Sequence, residues 1–105
     1  MYLFRGGNVP DELREQNGKD WMNWLQALGS TGKMIEMGAP LDSGVVIDSA
    51  DSAPREFSWE NDSGVGGYTI IEADSTGEAH KLLEGCPQLD KRFGGKVEIR
   101  PIAEM

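Results

Sequence analysis

The segment Tyr68 to Ala73 runs straight into Ser75-Thr76-Gly77-Glu78. An apolar, β-branched strand thus meets a capping box, in which the Ser75 hydroxyl accepts from the Glu78 N–H and the Glu78 carboxylate reaches back. A strand-to-helix junction this well marked commits the last third of the chain to β, then α. Gly85 and Pro87 stop that helix near Glu84, with Ala79, Leu82 and Leu83 facing inward. Gly94-Gly95 then leads into a final strand, Lys96 to Ile102.

The front of the chain repeats the order. Met1 to Arg5 is short and apolar, and ends at Gly6-Gly7, which reads as a strand. Pro10 to Leu28 reads as a helix. Proline suits its first turn, Asp11 and Glu12 complement the positive end of the dipole, and Leu13, Trp21, Trp24, Leu25 and Leu28 form a stripe. Gly18 predicts a kink in it, and Gly29 and Gly32 end it. Lys33 to Glu36 predicts a strand, followed by a turn at Gly38-Ala39-Pro40.

Between the halves, Val45 to Asp48 and the alternating Phe57 and Trp59 flank the turn-rich Ser49 to Pro54. This reads as an irregular hairpin or arm. Asn61 to Gly67 reads as a glycine-rich loop. Gly64-Val65-Gly66-Gly67 precedes a strand rather than following one, so it is a turn or bulge and not a phosphate-binding loop.

The resulting order is β, α, β, hairpin, β, α, β. That is an α+β chain on the ferredoxin-like split βαβ plan, with a central hairpin insertion, over one domain spanning residues 1–105. Such a sheet carries helices on one face only, and its other face must be covered or polar. Pairing two such faces across a twofold axis covers both and creates a cleft. A homodimer is therefore expected.

Charge narrows the partners. Ten basic and 18 acidic side chains give a net charge of −8. That surface repels phosphate backbones and anionic lipid, so neither nucleic acid nor membrane is expected as a partner. The N-terminus lacks a basic region followed by a long apolar run, which predicts a cytoplasmic protein. In such a chain the triplet Asn61-Asp62-Ser63 matches a glycosylation acceptor by chance.

Catalytic signatures are sparse. Cys86 is the lone cysteine, and its place at a helix C-terminus disfavours a thiolate. Packing is its expected role. His80 is the lone histidine and reads as a solvated side chain on a helix face. No Gly-x-Ser-x-Gly elbow and no metal-ligand spacing is present, so neither metal nor cofactor is expected.

The strand faces carry the best hint of a site. Lys96, Glu98 and Arg100 alternate with Val97 and Ile99, while Tyr68, Ile70 and Glu72 share a face of the preceding strand. Arg5 ends the first strand. If these polar faces meet in the dimer cleft, Arg5, Tyr68, Glu72, Glu98 and Arg100 converge, and arginine there can hold a carboxylate through two parallel bonds. The plain alternative is a Glu–Arg network that only fixes the sheet.

The string Gly67 to Ser75, then Glu78-Ala79, Gly85-Cys86-Pro87 and Gly94 to Ile102 resembles the YCII-related family, in its DGPF branch. Phe4-Arg5-Gly6-Gly7, Trp21-Met22-Asn23-Trp24, Gly32-Lys33 and Gly38-Ala39-Pro40-Leu41 agree with it. The resemblance implies a dimeric α+β barrel, with relatives that include a muconolactone-type dehalogenase and proteins associated with extracytoplasmic-function sigma factors. It implies a His–Asp pair falling near Trp21 and Asp42, and so adds Asp42 to the candidate ligand-binding residues. This chain has no histidine there, has Arg55 to Glu60 in place of Asp-Gly-Pro-Phe, and has Gln88 after Cys86-Pro87. The expectation is a small-molecule-binding protein or cryptic enzyme, taking a small carboxylate or lactone in the dimer cleft. A regulatory module with a protein partner is the alternative.

Overall fold

A computed structural model describes residues 1–61 and 64–103; Asp62 and Ser63 of the glycosylation-like triplet lie outside the described residues. Among the described residues six strands and two α-helices follow in the order β1 (Tyr2–Arg5), α1 (Arg14–Ser30), β2 (Met34–Pro40), β3 (Val45–Val46), β4 (Arg55–Glu56), β5 (Val65–Ile71), α2 (Thr76–Lys81) and β6 (Lys96–Ile99). The main sheet is ordered β2-β5-β1-β6, with every neighbouring pair antiparallel. This is the ferredoxin-like arrangement expected from the order of elements. None of the described helices is long and apolar enough to cross a membrane.

The helices cover one face of the sheet. Trp21, Trp24, Leu25 and Leu28 recur at helical spacing and turn one stripe of α1 onto Tyr2 and Phe4 of β1. The rings meet edge-on: Phe4 lies 5.0 Å from Trp21 and 6.3 Å from Trp24, centroid to centroid. Such pairs add about 0.5–1.5 kcal/mol each beyond their buried area. From α2 come Ala79 and, just past it, Leu83 and Cys86, all buried. Tyr2 is fully buried, and its hydroxyl donates to the Ala79 carbonyl, so this polar atom is satisfied within the core.

Several boundaries differ from the sequence reading. Asp11–Leu13 is a 3-10 turn, and α1 begins only at Arg14. It runs unbroken through Gly18, where a helix loses only propensity, not geometry. Strand β2 does not stop at Glu36 but continues to Pro40 through register shifts. Gly38 makes this feasible: its φ is +76°, and a Cβ there would overlap the Tyr68 carbonyl. Strand β5 begins at Val65, so the glycine run expected as a loop is partly strand, with a bulge opposite Phe4 and Arg5. Strand β6 ends at Ile99 rather than Ile102; Arg100 still donates its N–H to Met1, and Pro101 has none to give.

The capping box forms with a variation. The Ser75 hydroxyl accepts from Glu78 N–H at 3.1 Å, but the Glu78 carboxylate reaches Asp74 N–H at 3.4 Å. The helix is shorter than expected, ending at Lys81 and followed by tight turns through Glu84.

Strands β3 and β4 form a separate two-stranded sheet, as the hairpin reading expects. Phe57 and Trp59 follow β4 and pack edge-on at 4.7 Å. The molecule is a slab of 46 × 43 × 18 Å with a radius of gyration of 15.4 Å. A compact chain of this length would have about 13 Å.

Candidate functional site

The uncovered face of the sheet is set by register. Tyr2 and Phe4 point to the helices, so Leu3 and Arg5 point away. Opposite them on β6 stand Glu98 and Lys96. Opposite Leu3 on β5 stands Tyr68, and Ile70 follows on the same face. Arg5 and Glu98 are diagonal neighbours across β1 and β6, and Arg5 Nη1 donates to Glu98 Oε1 at 2.9 Å. Arg100, two residues on along the same face, donates from Nη1 to Glu98 Oε2 at 2.9 Å. One carboxylate is thus held at both oxygens by two guanidinium groups. These bonds from Arg100 and then Arg5 hold the Glu98 carboxyl below the usual carboxylate range.

Lys96 stands on this face beside Arg5 and forms no ion pair among the described residues. The group therefore carries three cations against one anion, an excess of positive charge on a chain of net charge −8. Arg5, Lys96 and Glu98 line an open cleft of about 900 Å³ together with Trp59. Val97 and the glycines Gly6, Gly7, Gly64, Gly66 and Gly94 supply the rest, so little side-chain bulk fills it.

Of the six residues expected to bind ligand, the structure brings three together: Arg5, Glu98 and Arg100. Tyr68 shares their face but turns its hydroxyl to Glu36 Oε1, 3.2 Å away, on the β2 side. The negative Glu36 and the bond to it hold that phenol proton more tightly than usual. Glu72 lies just past β5; its N–H donates to the Lys33 carbonyl and its side chain is exposed. Asp42 is exposed in the segment leaving β2. Neither joins the arginine cluster, because Glu72 lies beyond the opposite end of β5 from Arg5, and Asp42 has already left the sheet.

Lys96 and Trp59 belong to the cleft and were absent from the expected set. The alternation of Lys96, Glu98 and Arg100 carries the signal for Lys96. Trp59 has no such signal, since its place depends on the path of the arm.

A second pocket, about 520 Å³, opens between α1 and the sheet. Trp21, Met22, Leu25, Met37 and Pro40 give it an apolar wall. It lies where the resemblance places the His–Asp pair, yet it has no imidazole or carboxylate in its lining, and Asp42 falls two residues past Pro40. Acid–base chemistry has no donor pair there.

The remaining reactive side chains are quiet. Cys86 is buried, and loss of solvation pushes its thiol up to about 11. His80 is exposed on α2. Among the described residues no three His, Cys, Asp or Glu side chains gather in a metal-binding group.

Helices on one face of an antiparallel β2-β5-β1-β6 sheet, with a cationic cluster on the other, define a ferredoxin-like α+β protein. Comparison with known families is specific over the whole length: residues 1–105 match the YCII-related domain. The chain belongs to the YCII-related domain family. No curated protein and no solved structure matches it.

Proposed function

We propose that this protein is a homodimer that binds a small carboxylate in the cleft on the open sheet face. The observation that carries the reading is the excess of cation at Glu98. Arg5 and Arg100 each spend one N–H on that carboxylate. A guanidinium has five donors in a planar fork, so both retain donors for a second carboxylate. Lys96 adds a further cation to the lining. Trp59 adds an aromatic side chain to the lining, so an aromatic or cyclic acid, or a lactone presenting its carbonyl, suits the cleft.

Catalysis is not part of this reading. Cys86 and His80 lie outside the cleft, and Glu98 is held ionised by its arginines, which suits neither a general acid nor an unencumbered base at neutral pH. The reading takes the second copy as the cover for the half-exposed Leu3 and Ile70, and keeps the DGPF branch and a cytoplasmic location.

A thermal-shift panel of aliphatic acids, aromatic acids and lactones tests it, on wild type and Arg100→Ala together. A ligand that binds only the folded state raises Tm by mass action. The expected result is a rise with aromatic acids in wild type that is lost in the variant. Equal shifts in both proteins, or none in wild type, would contradict the site.

A further inference from the structure

The arm between Leu41 and Asn61 is not built for solvent. Its two strands have two residues each and pair only with one another. An isolated two-stranded hairpin is at best marginally stable in water. Yet Val45 and Ile47 are 64% and 62% exposed on it. The strands of the arm form no ladder with the main sheet.

Register gives the arm a patterned face. Val45 pairs with Glu56, so Val45, Ile47 and Glu56 share one side. Over residues 41–61 there are five carboxylates and one guanidinium, and that guanidinium, Arg55, is paired to Asp48 at 2.7 Å. The arm is therefore apolar and acidic together. The open sheet face carries the half-exposed Leu3 and Ile70; at its β1–β6 side the cations Arg5, Lys96 and Arg100 outnumber Glu98, while Glu36 stands beside Ile70 on β2. At the β1–β6 side the two surfaces complement each other in both respects. Within one chain Trp59 of the arm lines the cleft, while β3 and β4 pair only with each other.

We propose that the arm is a clasp for a second copy of this chain, laid across the partner's open sheet face with Val45 and Ile47 over its apolar strip and Glu56 toward its cations. Each carboxylate cleft is then roofed by the other copy's arm, and the site is incomplete in one chain alone. This inference rests on the dimer proposed above but not on any ligand.

Sedimentation velocity and disulfide trapping test it. Glu56→Cys and Lys96→Cys, both at exposed positions, are made in separate chains, one isotope-labelled, and mixed under mild oxidation. The expected product is a disulfide between labelled and unlabelled chains, at least tenfold above that from Glu56→Cys mixed with Gln26→Cys, exposed on α1. Val45→Lys with Ile47→Lys, both solvated in the single chain, should weaken the dimer at least tenfold while leaving far-UV circular dichroism unchanged. A dimer that ignores the lysines and gives no bridge between the two introduced thiols overturns the clasp and leaves the dimer standing. A monomeric wild type overturns both.

Discussion

Arg5 and Glu98 are 93 residues apart in the chain and 2.9 Å apart in space. The bond crosses from β1 to β6 and ties the first strand to the last on the side of the sheet that the helices leave bare. Arg100 closes on the second Glu98 oxygen, so the carboxylate is fixed in plane and its arginines are pre-aimed. This one relationship links sheet closure to the proposed ligand site, and the two roles separate by mutation.

Glu98→Gln keeps the shape and removes the charge. Both guanidinium groups then lose their internal anion, so carboxylate affinity should rise in the variant, and Tm shifts with aromatic acids should grow. An ion pair with a purely structural role gives no such gain.

The acid limb of stability follows from the same group. Folding lowers the Glu98 pKa from its ordinary 4.5, so the folded state favours the ionised form. Its contribution is complete above about pH 5 and disappears as pH falls through the lowered folded value. Urea midpoints of wild type and Glu98→Gln should therefore converge on acidification. A gap that stays constant down to pH 3 would contradict this.

Tyr2 sets the alkaline limb. Burial, and then the nearby Cys86, push its phenol up to about 12 from 10. The neutral form is the one the core accepts, so its contribution is full below pH 10 and is lost as pH climbs from 10 toward 12. Tyr2→Phe should cost about 1–2 kcal/mol at pH 7, since it leaves the Ala79 carbonyl without its donor. The variant should also lose part of the wild-type alkaline transition. Urea unfolding at pH 7 and pH 10.5 reads both effects.

Gly38 and Gly44 provide a paired test of backbone strain. Gly38→Ala meets a positive φ and the Tyr68 carbonyl, and should cost at least about 2 kcal/mol. Gly44→Ala has nothing within 4 Å of its new methyl and should change stability by under about 0.5 kcal/mol. Equal costs would mean that β2 does not cross β5 at Gly38.

The sequence made the sheet order and the Arg5–Glu98–Arg100 cluster legible for the same reason. Strand periodicity is two, so once Tyr2 and Phe4 are known to be core, Arg5 must leave by the other face, and Lys96, Glu98 and Arg100 follow by pairing. The fate of Tyr68 was not legible, because its hydroxyl partner Glu36 sits on a strand whose register shifts twice around Gly38. Bulges break the parity that makes faces countable. Glu72 falls just past the end of β5, where parity no longer fixes direction, and Asp42, which only the resemblance brought in, falls just past β2. The place of Trp59 depends on the arm, whose two-residue strands carry almost no periodic signal.

The central claim is that a carboxylate enters the cleft lined by Arg5, Lys96 and Glu98, next to Arg100 on the same face. The most direct measurement is a titration of the isotope-labelled protein with benzoate, followed by the arginine Nε–Hε and backbone amide resonances. The account predicts saturable shifts at Arg5, Lys96, Arg100 and Trp59. Shifts confined to Trp21, Met37 and the pocket under α1, or no saturable shifts at all, would contradict it.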